Sequence, residues 1–155
     1  MFIINNQLVA PLDHAKYVTC SSLLFFLPSF YAFIKTQYLL SASLFAAGLL
    51  SINYWRHPTY SSRRIADHIS GKVAFIICIV TGFYLYPIFI IPKILCLGLV
   101  FYCYYMSEKY CNCNIHINDI DPCWWKYHMM FHLLVSCTQI IAIKSIVDYD
   151  KLCLE

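Results

Sequence analysis

Charge is scarce in this chain. Lys, Arg, Asp and Glu together make up 12 % of its 155 residues, against about a quarter in an average soluble domain. With 61 % hydrophobic residues and a mean hydropathy of +0.63, a water-soluble domain of this size would expose more apolar surface than it can cover. That excludes the soluble class and leaves the bilayer as solvent. The eleven Lys and Arg residues form no basic face or stripe, so nucleic acid is excluded as a partner and membrane lipids are the expected one. No basic run precedes a leading apolar stretch; residues 1–17 hold Asp13, His14 and Lys16 instead. A cleavable signal peptide is therefore not expected, and the first membrane helix does the targeting. Nor is a disulfide framework expected: nine cysteines are an odd number, and Cys20, Cys78, Cys96, Cys103 and Cys137 fall inside apolar runs, where Cys behaves as a small hydrophobe. Repeats, low-complexity segments and long linkers are missing too, so residues 1–155 are expected to form a single transmembrane domain.

What the chain does have is apolar length. About 20 helical residues cross a hydrocarbon core of about 30 Å, and charge-free stretches of that order predict an all-α, polytopic bundle of about five helices, over residues 17–34, 36–56, 67–86, 89–107 and 122–143. Lys35 closes the first span. The second carries a small-residue stretch, Ser41, Ala42, Ser43, Ala46, Ala47 and Gly48, suited to close helix packing. Pro87 and Pro92 divide an apolar run too long for one crossing. Asp121-Pro122 reads as an N-cap and first helical residue, with Trp124 and Trp125 as interface anchors. Five spans put the N-terminus and the 55–66 and 108–121 loops on one side. That side carries Lys16, Arg56, Arg63, Arg64, Lys72, Lys109 and Lys126, against Lys35, Lys93, Lys144 and Lys151 opposite, so it is expected to be cytoplasmic.

Polar residues kept within membrane spans are costly and point to function. Here they gather toward that same side. His128 and His132, four residues apart, share one helix face and are near enough to bind one metal. His57 closes the second helix because Pro58 disfavours a helical residue before it, and Asp67 lies in the opening turns of the third. Three neutral imidazoles with an open fourth position form the arrangement of a catalytic zinc, and a nearby carboxylate can take a proton from the metal-bound water or orient a histidine. The same residues also fit a structural role, with the histidines hydrogen-bonded inside the bundle and Asp67 paired with Arg63 or Arg64.

The segments Ser51-Ile-Asn-Tyr-Trp-Arg-His57, Arg64-Ile-Ala-Asp67-His-Ile-Ser-Gly71 and His128-Met-Met-Phe-His132 resemble the signature of the CREST membrane hydrolases. That superfamily holds the alkaline ceramidases, the adiponectin and progestin receptors and the enzymes that remodel lipid after GPI attachment. Its pattern is a Ser and a His at the end of one helix, an Asp opening the next, and a His-x-x-x-His pair on the last. The resemblance implies a hydrolase of lipid amides or esters, with His57, His128 and His132 as zinc ligands and Asp67 beside the metal-bound water. The family has more helices than are expected here. Its Ser usually stands one helical turn before the His, where this chain has Asn53, with Ser51 two residues further back. Ser51 or Asn53 would then stabilise the oxyanion. His68 stands where the family tends to have an aromatic, as a group beside the metal or an alternative ligand.

Two other readings use the same sequence. One is a non-enzymatic membrane protein in which these residues are structural or hold a metal without turnover. The other is a thiol-active membrane protein built on Cys111-Asn-Cys113 with Cys123 and His116, although Cys-x-Cys is not the usual redox spacing.

Overall fold

A computed structural model of the chain describes residues 8–85, 89–112 and 123–152. Within them the backbone is helical apart from short turns and one antiparallel bridge between Leu8 and Thr59. Five helices are long and apolar enough to cross a membrane: Leu12–Ile34, Tyr38–Trp55, Ser62–Gly82, Ile90–Tyr110 and Trp124–Tyr149. This is the expected all-α architecture of a multi-pass integral membrane protein.

The first span is built from α1 (Leu12–Ser22), a 3-10 turn (Leu23–Phe25) and α2 (Phe26–Ile34). It starts earlier than residue 17 because the Pro11 carbonyl accepts the His14 and Ala15 amides and Asp13 sits in the first turn, where the helix dipole favours a carboxylate. Charge there marks where the helix leaves the apolar layer and does not stop it. The 3-10 turn precedes Pro28, which lacks the N–H that an α-helix would direct to the Leu24 carbonyl.

A tight reversal follows. Gln37 N–H donates to the Ala32 carbonyl at 2.9 Å and Thr36 N–H to the Phe33 carbonyl at 3.0 Å, the two bonds of a Schellman motif, with Thr36 left-handed at φ 61°. α3 (Tyr38–Trp55) buries Ser41, Leu44, Ala47, Gly48 and Ser51, while Ala42 and Ala46 from the same small-residue stretch are exposed. Gly48 packs closely, and a Cβ there would lie 3.2 Å from that of Phe25.

Beyond the Pro58 turn, α4 (Ser62–Ile79) continues into a π-helical segment, Val80–Leu85. Its Gly82 is pressed against Ala142, and the buried Lys93 ammonium donates to the Gly82 carbonyl. α5 (Ile90–Asn112) tolerates Pro92 because it falls in the first turn, where backbone N–H groups have no helical acceptor, and it runs past the expected end at 107. α6 (Trp124–Leu152) also outlasts its expected end at 143. The expected cap at Asp121-Pro122 lies outside the described residues, as do Pro87, Cys113 and His116.

α6 is the central element, packed on α1, α2 and α5. By contrast α4 leans chiefly on α3, and α5 chiefly on α6. One core cluster joins Ala32, Leu44, Ala142 and Ile143 across α2, α3 and α6; another joins Val18, Tyr54, Trp55 and Trp124 nearer the start of α6. Phe30, Leu39, Ile91 and Leu95 point outward and are largely exposed, as side chains facing lipid are.

Candidate functional site

Between α4 and α5, floored by α3 and α6, lies a cavity of about 370 Å³. Its walls are apolar, with Phe25, Phe75, Val100 and Val135 among them. Ser51, Asp67, His68, His128 and His132 bring polar atoms into the same space. On the α4/α5 side the lining residues Gly71, Lys72, Phe101 and Tyr104 are exposed, whereas His128 and His132 are buried. The cavity is thus open toward the lipid-facing side of the bundle. Phe75 and Phe101 cross that opening edge to face, with ring centroids 5.8 Å apart.

The two histidines of α6 stand side by side, ring centroids 4.8 Å apart. Each has its Nδ1 tied to a serine on another helix: His132 to Ser21 at 2.8 Å and His128 to Ser107 at 2.9 Å. Ser21 fixes the tautomer of its partner. Its hydroxyl donates to the Val18 carbonyl at 2.9 Å, and a hydroxyl has a single proton. Toward His132 it is therefore an acceptor, so Nδ1 of the neutral ring carries the proton and Nε2 has a free lone pair.

A second polar thread reaches the cavity from α1. Ser22 Oγ lies 3.0 Å from Ser51 Oγ, and Ser51 is the polar side chain that acts on the Asp67 carboxyl. Asp67 makes no ion pair with Arg63 or Arg64 among the described residues. Arg63 instead donates to the Asn53 and His57 carbonyls at 3.5 and 3.4 Å, and Arg64 lies over the Tyr60 ring at 4.8 Å. Arg64, Lys72 and Glu108 are all close enough to His68 to act on it electrostatically, so charges of both signs ring the mouth.

Ser51, Asp67, His128 and His132, expected at the site, all line the cavity; Asn53 and His57 do not. α3 ends at Trp55, and the turn through Pro58 to the Leu8–Thr59 bridge carries His57 outward, where it is exposed. The three-imidazole set expected to hold zinc is therefore not assembled. Among the described residues no three His, Cys, Asp or Glu side chains are grouped so as to hold a metal ion. The residue one turn after Ser51 is Trp55, and its ring packs against His128 with centroids 4.7 Å apart. A tryptophan thus packs beside His128, and the third histidine that lines the cavity is His68 rather than His57. Of the two residues expected to meet an oxyanion, Ser51 lines the cavity and Asn53 does not.

Sequence reasoning missed Ser21, Ser22, Ser107 and Trp55. The signal for the serines is modest but real: Ser21-Ser22 is a polar pair inside an otherwise apolar span, which must find partners within the bundle. Cys111, Cys113 and His116 fall outside the described side chains. Compared with protein-family models, with curated proteins and with solved structures, the chain matches none.

Proposed function

We propose that the protein draws a lipid amide or ester from the bilayer into the α4/α5 cavity and hydrolyses it. The observation that carries this reading is a cavity in which apolar walls meet Ser51, Asp67, His68, His128 and His132 and which opens on the lipid side. The acyl chain lies along the apolar wall and the carbonyl at the polar floor. Water adds to the carbonyl carbon as its proton passes to the bare Nε2 of His132. The oxyanion that forms is met by Ser51, whose single proton turns to it from the Ser22 oxygen, with the Asp67 carboxyl beside it. The C–N or C–O bond then breaks, and the proton on Nε2 is returned to the departing amine or alcohol. The resemblance to CREST hydrolases supports the same substrate class. We also place the end of the bundle bearing Arg56, Arg63 and Arg64 in the cytoplasm, by the positive-inside rule.

A second reading, lipid binding without turnover, is favoured by one observation: the Trp55 ring packs against His128 and lends that side of the cavity an apolar surface. A single experiment separates the two. Purified protein in nanodiscs is given ceramide or phosphatidylcholine, and bound lipid and released fatty acid are both measured. Hydrolysis reduced about 100-fold or more in His132→Ala and Asp67→Asn, and unchanged in His57→Ala, supports the enzyme. Tight binding with no release in any form supports the second reading. Stoichiometric zinc that His57→Ala abolishes would overturn the metal-free assignment of the site.

A further inference from the structure

α6 presents one helical stripe to the cavity: His128, His132, Val135 and Gln139. The two histidines have serine partners and Val135 is part of the apolar wall. Gln139 has no such explanation. It is only 4 % exposed, it lines the cavity, and among the described residues its Oε1 has no hydrogen-bond partner. Its neighbour at that end, Thr138, has its own proton committed to the Leu134 carbonyl at 2.7 Å, so its oxygen too has only acceptor capacity to offer. This end of the chamber therefore presents one acceptor that lacks a donor among the described residues, Oε1 of Gln139. Buried polar groups in folded proteins are almost always paired, and one that is not points to a missing partner.

Gln139 lies two helical turns beyond His132, about 10 Å along the axis at the α-helical rise. Both residues face the same chamber, so a single ligand can touch both. We propose that Gln139 is a specificity-determining residue, and that the cavity takes a lipid whose acyl chain carries a hydroxyl about 10 Å from the carbonyl held at His132. The hydroxyl donates to Oε1 of Gln139, while the chain on either side of it rests on the apolar wall. A site built to hydrogen-bond a hydroxyl discriminates strongly against the analogue without it, because that analogue leaves the buried acceptor unpaired. An ordered water is the competing occupant; it would satisfy Oε1 without conferring any preference among lipids.

This inference rests on the lipid-carbonyl reading of the site, and its test is chosen so that the two can fail separately. Two N-acyl amides of equal chain length, one plain and one with a mid-chain hydroxyl at that distance, are compared for binding to the full chain in nanodiscs. The wild type is expected to prefer the hydroxylated lipid by about tenfold, the net worth of one hydrogen bond. Gln139→Leu should bring the ratio close to unity while leaving the plain lipid bound at least as well. Should the Leu variant fail to fold, Gln139→Asn keeps an amide but withdraws it from reach, and should likewise lose the preference. Equal affinity of the wild type for both lipids overturns the role of Gln139 and leaves the hydrolase reading standing. Binding of neither lipid overturns both.

Discussion

Ser21 gives the His132 ring its chemistry, because the serine's only proton goes to the Val18 carbonyl and the imidazole must then be the donor at Nδ1. Replacing Ser21 with Ala leaves that N–H buried without an acceptor, which costs about 1–3 kcal/mol. Thermal unfolding in detergent should show the loss, and hydrolysis should fall with it as the ring loses its fixed tautomer. Ser107→Ala should act on His128 in the same way. Trp55→His tests the third position directly. An imidazole placed beside His128 and His132 should raise bound zinc to near stoichiometric from a low value in the wild type, by elemental analysis of purified protein; equal zinc in both would contradict the placement of Trp55. The pairing of His128 with His132 was legible in the sequence because a spacing of four is a local property of a helix. The partnership of His132 with Ser21 was not, since the two are 111 residues apart and no local pattern joins them. His57 was misplaced for a related reason: Pro58 correctly ends the helix, but the direction in which the turn leaves is set by the Leu8–Thr59 bridge, which only the tertiary structure contains.

Among the elements, the α2–α3 reversal carries an identifiable cost. Thr36 is β-branched and sits at φ 61°, a conformation that penalises any side chain by about 1–2 kcal/mol. Thr36→Gly should recover about 1 kcal/mol of that, seen as a higher unfolding temperature in detergent. Gly82→Ala should do the opposite. The new Cβ would lie 2.7 Å from that of Ala142, so the π segment or α6 must shift, at about 1–3 kcal/mol for an overpacked contact. Gly98 is the control. Nothing lies within 4 Å of a Cβ there, and Gly98→Ala should raise stability by about 0.5–1 kcal/mol as helix propensity alone dictates. The five spans were legible because apolar length is itself the physical requirement for crossing a bilayer. Taking charge as the limit sets the start of the first span and the ends of the fourth and fifth too far in, whereas α1 holds Asp13 and Lys16 and α5 and α6 run on through polar turns.

For the whole molecule, an odd number of crossings has a direct test. Tags at the two termini should lie on opposite faces of the membrane, so protease added to sealed vesicles should remove one and spare the other; loss or protection of both would rule out five spans. The opening between α4 and α5, crossed by the Phe75–Phe101 contact, has a kinetic consequence. A ligand that enters through the side of the bundle is never dissolved in the aqueous phase on its way in, so the concentration that governs its capture is two-dimensional. Diluting the lipid with inert phospholipid, at constant total amount per volume of solution, should slow the protein in proportion to surface mole fraction. Enlarging the aqueous volume around the same vesicles should leave the rate per vesicle untouched.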